Sequence, residues 1–326
     1  MKVLVTGATG FVGSNLAAAL VARGDQVRVL RRATSRMAAL QGLPVEYIVG
    51  DILDPDSLAA AVRGCQAVFH VAATAEYWRS QRETIYRVNV EGTRNVLRTA
   101  MDYGVQRLVY TSSVAALGYP KRGTLANESQ AYPTELSWWA YGHSKHLAEL
   151  EVRQAVSQGL PAVIVNPTIV IGPKDLNFIS GSLIRASVRG QLRVVPPGGA
   201  NVVHVDDVVI GHLAAADRGR VGERYILGGE NLSHWEMAVI LAEVTGGPPP
   251  RLVLPYQSLA PLASLVDAIN AVSRRPPLVA GEQIRLGGEA FYVDCSKAVR
   301  ELGLPQTPFR QAAADAYAWY QQHKLL

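Results

Sequence analysis

Three glycines, spaced three residues apart, join the first β-rich run of this chain to its first helical pattern. In VLVTGATGFVGSNLAAAL, Gly7, Gly10 and Gly13 follow the run Lys2–Thr6 and open the apolar helical pattern Phe11–Arg23. Glycines at this spacing permit a tight turn, a close approach of backbone to a bound group, and close packing of helix on strand. The free N–H groups at the start of the helix bind anions. The segment therefore predicts a strand–turn–helix unit that holds the pyrophosphate of a dinucleotide.

The chain then continues with an alternation of strand and helix. Short β-rich runs are separated by longer helical patterns as far as Pro167. Parallel strands need such helical crossovers between them, and strands buried on both faces read as short apolar runs. The pattern predicts an α/β protein with a Rossmann-type, doubly wound parallel sheet. The predicted strands are Gln26–Leu30, Val45–Val49, Ala67–Val71, Leu108–Thr111 and Ala162–Asn166, and the predicted helices are Asp56–Arg63, Glu83–Tyr103 and Tyr141–Gln158.

The alternation loosens after Pro167. Proline and glycine cluster at VVPPGG (Val194–Gly199) and GGPPP (Gly246–Pro250), which marks turns and loops. We expect a dinucleotide-binding Rossmann domain over residues 1–170, to which the chain returns over about residues 200–230, at Val203–Ala216 and Arg224–Leu227. Residues 171–199 and 231–326 are expected to form a smaller, C-terminal substrate-binding lobe.

Composition and charge narrow the kinds of partner. The 326 residues carry a net charge of +5, but lysine and arginine are scattered and no long basic run includes aromatics, so a nucleic-acid partner is not indicated. Cys65 and Cys295 lie far apart without metal-ligand spacing, so no metal site is predicted. The start MKVLVTGATG does not read as a signal peptide, and prolines and polar residues interrupt the apolar segment Leu252–Val272. We expect a cytoplasmic protein without a membrane span.

A tyrosine and a lysine in WWAYGHSKHLAEL form the first candidate for chemistry. Tyr141 and Lys145 lie four residues apart, so they share one face of a helix. Taken alone, the pair is equally explained by a surface tyrosine packed on the lysine stem. The motifs in the rest of the chain decide between these two interpretations.

Together with the glycine spacing, the pair resembles the extended branch of the short-chain dehydrogenase/reductase family. Further stretches match that family in the expected order and over essentially the whole chain. Within the branch, the sequence is most similar to dihydroflavonol 4-reductases and to the bacterial hopanoid-associated sugar epimerase-like proteins. The matching stretches are GDILD (Gly50–Asp54), VFHVAA (Val68–Ala73), NVEGTRNV (Asn89–Val96), YTSS (Tyr110–Ser113), NPTIVIGP (Asn166–Pro173) and VHVDDV (Val203–Val208).

The resemblance implies a nicotinamide dinucleotide bound across the carboxyl ends of the strands. Asp51 would meet the adenine, small residues after the fourth strand would line the cofactor, and the end of the sixth strand would flank the nicotinamide. The implied cofactor-binding residues are Gly7, Thr9, Gly10, Phe11, Val12, Gly13, Asp51, Ile52, Val71, Ala72, Ala73, Asn89, Thr111, Tyr141, Lys145, Pro167, Thr168, Ile169 and Val170.

The resemblance also implies catalytic roles for Ser113, Tyr141 and Lys145. In that family the tyrosine gives or takes a proton, while the lysine tunes it and holds the nicotinamide ribose. A free phenol has a pKa near 10, so action near pH 7 asks for a shift of about 3 units, or roughly 4 kcal/mol. One ammonium at about 4 Å supplies up to roughly 4 kcal/mol at an effective dielectric of 20. Ser113 would hold the carbonyl oxygen, with Ser112 as the alternative.

Three histidines are weaker candidates for a general base. His70 ends the fourth predicted strand, His143 projects from the helix in another direction than the tyrosine, and His204 belongs to VHVDDV. We expect each of them to be a packed or surface histidine.

The end of the second strand, in VRVLRRATSR, bears on the choice of dinucleotide. NAD-specific folds place Asp or Glu there to hold both ribose hydroxyls. Instead Arg31 and Arg32 occupy this position, followed by Thr34, Ser35 and Arg36. A guanidinium and hydroxyls suit a 2′-phosphate, which arginine can hold bidentately. We predict that NADP(H) is preferred and that NAD(H) is also usable; the alternative is that both arginines are solvated on the surface.

Several aromatic residues fall in loops near the inferred cleft. Two or three of them together would form an apolar, flat-walled pocket, whereas packing within the fold is the alternative for each. Such a pocket favours a fairly apolar small molecule that carries a carbonyl or a secondary alcohol. The aromatic residues are Tyr77, Trp78, Trp138, Trp139 and Phe178.

Three functions remain open. The first is a reductase or dehydrogenase acting on a ketone or secondary alcohol, the second a sugar-nucleotide epimerase or dehydratase, and the third a non-catalytic dinucleotide sensor. The complete set Ser113, Tyr141 and Lys145 argues against the sensor, because binding alone does not need a tuned phenol. A homodimer through the helical patterns Glu83–Tyr103 and Tyr141–Gln158 is common in the family, but their outer faces show no clean apolar stripe.

One short stretch argues against the sugar-nucleotide function. Many sugar-nucleotide members of the family read Arg-Asp-Phe where this chain has Ala200, Asn201 and Val202, and that arginine holds the diphosphate. Loss of such a contact removes a strong, charge-assisted hydrogen bond. Arg185 or Arg193 could replace it from elsewhere in the chain.

Overall fold

The computed structural model describes residues 1–74, 82–121, 123–272 and 280–326. The strands are β1 (Lys2–Thr6), β2 (Gln26–Arg31), β3 (Glu46–Val49), β4 (Ala67–His70), β5 (Arg107–Thr111), β6 (Ala162–Pro167), β7 (Ile169–Ile171), β8 (Val194–Val195), β9 (Gly199–His204), β10 (Arg224–Leu227), β11 (Glu230–Ser233), β12 (Leu252–Val253) and β13 (Ala290–Phe291). The helices are α1 (Phe11–Ala22), α2 (Pro55–Val62), α3 (Arg82–Tyr86), α4 (Gly92–Asp102), α5 (Ala140–Ser157), α6 (Ser182–Val188), α7 (Val205–Arg218), α8 (His234–Thr245), α9 (Tyr256–Val272), α10 (Gly281–Leu286), α11 (Ser296–Leu302) and α12 (Phe309–Gln322).

A seven-stranded parallel sheet forms the centre of the molecule. Its strands run in the order β10–β6–β5–β4–β1–β2–β3, so the chain builds outward from β1 in one direction and then from β4 in the other. The order reverses between β1 and β4, and in such sheets the ligand crevice lies outside the carboxyl ends of the strands at this point. The predicted α/β class and doubly wound parallel sheet are confirmed.

Apolar side chains on the two faces of the sheet build two separate cores. Val3 and Val5 point into one core, formed with α1 and α7, whereas Leu4 between them points into the other, formed with α2, α4 and α5. This alternation is the two-residue period of a strand that is buried on both faces. The sheet is therefore a rigid support for the loops at its carboxyl edge.

Two predicted segments differ from the structure. The predicted helix Glu83–Tyr103 is divided, because a π-helical turn at Arg87–Glu91 separates α3 from α4. The segment Val203–Ala216 was expected to rejoin the main sheet, but its strand, β9, belongs to a second sheet and only its helix, α7, packs on the main one. The reason is that β9 pairs with β7, β11 and β13, which the chain supplies from outside the main sheet.

The C-terminal half of the chain builds a smaller lobe around this second sheet. Its core includes Ile184 from α6, Leu241 from α8 and Phe309 from α12. Strand β10 (Arg224–Leu227) nevertheless returns to the edge of the main sheet, as predicted. Within the described ranges, no helix combines the length and the apolar character needed to cross a membrane.

Candidate functional site

A cavity of about 970 Å³ lies at the carboxyl edge of the main sheet. The first glycine loop, the ends of β2, β4, β5 and β6, and helix α5 all contribute to its walls. Of the predicted site residues, Asn89 alone does not line it. Those that do are Gly7, Thr9, Gly10, Phe11, Val12, Gly13, Arg31, Arg32, Asp51, Ile52, Val71, Ala72, Ala73, Thr111, Ser113, Tyr141, Lys145, Pro167, Thr168, Ile169 and Val170.

The glycine loop has the geometry of a phosphate cradle. Gly7 adopts a φ of +73°, which side chains rarely tolerate, and a Cβ atom at Gly13 would lie 2.3 Å from the Gly7 carbonyl oxygen. Gly10 caps the start of α1 without a side-chain hydrogen bond. The first N–H groups of the helix therefore face the cavity without a side chain over them, which fits the pyrophosphate of a dinucleotide.

Arginines gather at the end of the cavity where β2 ends. Arg31 and Arg32 line this part together with Thr34, Ser35 and Arg36. The Arg32 N–H donates to Ser35 Oγ at 3.1 Å, which forms the turn after the strand. The carboxylate of Asp51 also lines the cavity and accepts the Leu53 N–H at 3.0 Å.

Helix α5 presents Tyr141 and Lys145 to the cavity beside the end of β5. Lys145 is 2% exposed, and its Nζ donates to the Thr111 carbonyl oxygen at 2.8 Å and contacts the Tyr110 hydroxyl at 3.4 Å. Ser113, the second residue after β5, lies close enough to Tyr141 to lower the pKa of its phenol. The structure therefore brings Ser113, Tyr141 and Lys145 together, although they come from two elements of the chain.

The pKa of Tyr141 shifts in the direction opposite to the one expected. Burial raises the pKa of this phenol, and the hydrogen bond with Ser113 offsets the rise in part. Burial also lowers the pKa of Lys145 to about 7, against the opposing charge of Glu149. The physical reason is that the ammonium is directed at the Thr111 carbonyl and is itself destabilised by desolvation, so it does not offset the desolvation of the phenol.

A buried hydrogen-bond network lies behind the candidate catalytic residues. Ser112 Oγ donates to Glu149 Oε1 at 2.6 Å, and Arg224 Nη1 from β10 lies 3.1 Å from Glu149 Oε2. Asn166 Nδ2 donates both to Glu149 Oε1 at 2.6 Å and to the Ser113 carbonyl oxygen at 2.9 Å. The hydroxyl of Ser112 is thus held by Glu149, while that of Ser113 meets the phenol, which favours Ser113 over Ser112.

Sequence reasoning did not identify Glu149 as part of the site. Its spacing of four residues from Lys145, on the same helix, was the available signal. The partner Arg224 could not be found this way, because only the pairing of β10 with β6 brings it to Glu149.

Asn89 supports the site from behind instead of lining it. It lies in the π-helical turn between α3 and α4 and is buried. Its Oδ1 accepts the Thr74 N–H at 2.9 Å, and its Nδ2 donates to the Thr74 carbonyl at 2.9 Å and to Ser144 Oγ at 3.0 Å. Asn89 therefore fastens the segment after β4 to helix α5. Direct contact of Asn89 with the cofactor stays a prediction.

The three histidines are engaged in hydrogen bonds. His70 lies between Thr6 and Thr93 at 2.7 and 3.0 Å, and burial lowers its pKa to about 3. His143 Nδ1 lies 2.8 Å from the Tyr86 hydroxyl. His204 Nδ1 accepts the Asp206 N–H at 2.9 Å and so caps α7. These contacts are the packing roles that the sequence predicted.

The far end of the cavity is lined by small and aromatic residues of the smaller lobe and of the segment before α5, and also by polar residues of the smaller lobe, among them Asn177, His234, Gln283 and Glu289. Trp139 is 4% exposed and lines it together with Tyr119 and Phe291. Of the other predicted aromatics, Phe178 stacks on Tyr320 at 4.8 Å instead, and Trp138 does not line this cavity. The predicted aromatics Tyr77 and Trp78 lie outside the described residues.

This end of the cavity contains the position at which many sugar-nucleotide enzymes of the family have the arginine that binds the diphosphate. Ala200 and Asn201 line the cavity from β9. Arg185 and Arg193 do not line it, and the guanidinium of Arg185 packs over the Phe178 ring at 4.3 Å. Neither of the two arginines therefore takes the place of the missing one.

Comparisons of the sequence and of the structure with known proteins agree on the family and the fold of this chain. Residues 3–228 match the model of the NAD dependent epimerase/dehydratase family. A Synechocystis sp. protein named after dihydroflavonol 4-reductase is 44% identical over 324 residues, which cover 98% of this chain and 94% of that protein. Sterol demethylase protein B of Methylococcus capsulatus is 37% identical over 329 residues, with 100% of both chains covered. A dTDP-glucose 4,6-dehydratase from Streptomyces venezuelae, solved with NAD bound, has a TM-score of 0.81 at 26% identity and covers 99% of this chain and 98% of its own.

Proposed function

This chain belongs to the NAD dependent epimerase/dehydratase family, within the extended short-chain dehydrogenases/reductases, and is an NAD(P)-dependent oxidoreductase; from this premise we propose that it reduces a ketone on a fairly apolar small molecule, with NADP(H) as the preferred cofactor. The observation that carries the proposal is that Ser113, Tyr141 and Lys145 line one cavity, to which Tyr119, Trp139 and Phe291 contribute aromatic side chains. The name of the Synechocystis relative, a reductase, supports the same reaction type.

The raised pKa of Tyr141 suits a proton donor. Burial keeps the phenol protonated at neutral pH, which is the state needed to protonate the oxygen of a ketone. When bound, the dinucleotide supplies the hydride that the carbonyl carbon accepts. Tyr141 passes its proton to the oxygen, and the Ser113 hydroxyl donates a hydrogen bond to the same oxygen. The products are the secondary alcohol and a phenolate on Tyr141.

Lys145 is suited to stabilising that phenolate. Its side chain lies one helical turn from Tyr141 and is almost fully buried, so a charge on it acts through little water. A phenolate beside it favours the protonated amine and opposes the effect of burial on the pKa of Lys145. The same ammonium is in reach of the part of the cavity where the nicotinamide ribose is expected, as the family resemblance implies.

The preference for NADP(H) rests on the arginines at the end of β2. Arg31 and Arg32 line the cavity there with Thr34 and Ser35, so guanidinium and hydroxyl groups are available to a 2′-phosphate. One charge-assisted contact of roughly 1.5–3 kcal/mol corresponds to about 10–150-fold in affinity. We therefore expect at least tenfold preference for NADP(H) over NAD(H).

A panel of ketones tests the proposal. Aromatic, steroidal and aliphatic ketones are incubated with the protein and NADPH or NADH, and the fall in absorbance at 340 nm is followed. We expect turnover of at least one apolar ketone, faster with NADPH, and none with the Tyr141→Phe variant. Absence of turnover across the panel, combined with micromolar binding of a nucleoside-diphosphate sugar, would replace the reductase by the second candidate.

That second candidate is a sugar-nucleotide epimerase or dehydratase. It is favoured by the fold-level likeness to the dTDP-glucose 4,6-dehydratase. Against it stands Ala200, which leaves the expected diphosphate site without its arginine, and neither Arg185 nor Arg193 lines the cavity. The reductase therefore accounts for more of the residues that line the cavity.

A further inference from the structure

A second cavity, of about 340 Å³, adjoins the far end of the main one, and the proposed reaction does not use it. We call it the annex. Tyr119, Leu286 and Glu289 line both cavities, so the two spaces share a boundary. The other residues that line the annex come from the segment before α5 and from helices α9 and α10: Leu136, Trp138, Tyr256, Leu259, Ala260 and Arg285.

A row of aromatic rings connects the catalytic phenol with the annex. The Tyr141 ring lies 6.4 Å from that of Trp139, which in turn lies 5.8 Å from that of Tyr119. Tyr119 also packs at 5.0 Å against Phe291 and then borders the annex. A molecule whose carbonyl reaches Tyr141 therefore meets flat apolar surface along the way to the annex.

The annex offers apolar contacts and few free polar groups. Its polar side chains are engaged with neighbours, since the Tyr256 hydroxyl donates to Glu289 Oε1 at 2.7 Å and Arg285 Nη2 donates to Asp267 Oδ2 at 2.9 Å. Leu259 is 4% exposed and Leu286 is partly buried. This chemistry is opposite to that of the other end of the main cavity, where arginines gather. Because the arginine end is assigned to the cofactor, the annex is an apolar space that remains for the substrate.

We propose that the annex binds an apolar arm of the substrate, so that the substrate class is a ketone with a hydrocarbon arm that extends past Tyr119. The inference rests on the proposed function for the position of the carbonyl, at Ser113 and Tyr141. The annex volume lies at the lower end of the range that small-molecule pockets occupy, which suits part of a ligand better than a separate whole one.

Affinity as a function of chain length tests the proposal. The protein is titrated calorimetrically with 2-alkanones from 2-butanone to 2-decanone, once with saturating NADP⁺, which prevents turnover, and once without it. We expect the dissociation constant to fall with each added methylene that enters the annex, by up to about fourfold, which is the equivalent of burying one CH₂ group. The gain ends when the annex is full.

A matched pair of variants locates the effect. Ala260 lines the annex and is exposed on helix α9, so Ala260→Trp fills the annex with little risk to folding. Ala268 is exposed on the same helix and does not line the annex, so Ala268→Trp is the control. We expect Ala260→Trp to weaken binding of 2-decanone at least tenfold while 2-butanone changes less than twofold, and Ala268→Trp to change neither.

The outcomes separate this inference from the proposed function. If affinity does not depend on chain length, or if both tryptophan variants behave alike, the annex does not take the arm and the reductase proposal is untouched. If chain length matters and Ala260→Trp abolishes the gain, but no ketone is turned over with NADPH, the annex is supported and the reductase proposal fails. Both titrations report on binding directly, so neither result depends on activity.

Discussion

The two walls of the main cavity are built in different ways. One, which we call the catalytic wall after its proposed role, is supplied by the segment after β5 and by helix α5 and consists of Ser112, Ser113, Tyr141 and Lys145, with Glu149 behind them. The other, the substrate wall, brings together side chains from segments that lie far apart in the chain: Tyr119, Trp139, Ala200, Leu286 and Phe291.

The difference extends to the forces that hold each wall. Lys145 of the catalytic wall and Glu149 behind it lie one helical turn apart and fix the chain at the end of β5, the first through the Thr111 carbonyl and the second through the Ser112 hydroxyl. The substrate wall relies on ring packing, such as Tyr119 on Phe291. Hydrogen bonds fix directions, whereas apolar contacts mainly exclude water. The comparison teaches that the chemistry is encoded locally, while substrate choice depends on the tertiary assembly.

The largest expected effect follows from removing the phenolic hydroxyl of the catalytic wall. Tyr141→Phe should lower kcat by about 10²–10⁴-fold, the usual cost of a lost general acid, and leave cofactor affinity within a few-fold. Lys145→Met should damage both quantities, because Lys145 is proposed to hold the ribose as well. Steady-state kinetics and calorimetry of NADP(H) binding measure the two effects, with Tyr103→Phe on the surface as the control. A Tyr141→Phe variant that keeps a tenth of the wild-type kcat contradicts the assignment.

The support behind the catalytic wall can be broken by removing the charge of Glu149. Glu149→Gln leaves Arg224 buried without its partner charge, which should cost about 3–5 kcal/mol in the free energy of unfolding. Glu151 on the same helix pairs with Arg94 at 2.7 Å near the surface, so Glu151→Gln should cost less than about 1 kcal/mol. Urea unfolding of the three proteins makes the comparison. Equal losses in both variants would show that the buried pair does not hold the wall.

The arginines at the end of β2 add charge-assisted contacts to the comparison between a hydrogen-bonded wall and an apolar one. Arg32→Ala should reduce the preference for NADP(H) by about 10–150-fold, the range of one charge-assisted hydrogen bond, with little change in kcat. The ratio of kcat/KM for the two cofactors is the measurement, and Arg63→Ala serves as a control away from the cavity. Equal kcat/KM with NADP(H) and NAD(H) in the wild type would refute the preference.

The substrate wall predicts a weak interaction with nucleotide sugars. Because Ala200 stands where the sugar-nucleotide enzymes of the family have arginine, uridine or thymidine diphospho-sugars should bind more weakly than micromolar to the cofactor-loaded protein. Calorimetric titration measures this affinity. A micromolar dissociation constant would shift the assignment to the epimerase or dehydratase.

The smallest expected effect concerns acid stability behind the catalytic wall. The pKa of His70 is about 3 in the folded protein, below the ordinary value of 6.5, so the unfolded chain binds the extra proton between these two pH values. Stability therefore falls as the pH drops from 6.5 toward 3, by roughly 1 kcal/mol per pH unit from this group. His70→Asn should flatten that slope, and the exposed His323→Asn should not. Unfolding free energies at pH 6.5, 5.5 and 4.5 are compared.

The sequence predicted the catalytic wall better than the substrate wall for physical reasons. The four-residue spacing of Tyr141 and Lys145 determines a shared helical face, and the end of a parallel strand determines that Ser113 lies at the sheet edge. The π-helical turn that contains the buried Asn89 was not predicted, because no local sequence pattern indicates such a turn. Leu286 reaches the cavity only through long-range packing of the smaller lobe, on which single-sequence patterns carry no information.

The position of Arg224 on an edge strand has a consequence for how the protein is made. During synthesis β6 leaves the ribosome complete at Pro167, but its neighbour β10 begins only at Arg224, after strands β7 and β9 of the second sheet. Until then the outer edge of β6 is open and the Glu149 carboxylate has no guanidinium beside it. We therefore expect a truncated product that ends before β10 to expose a strand edge that can pair with another chain. The chain thus couples completion of its catalytic support to translation of the segment that contributes Ala200 to the substrate wall.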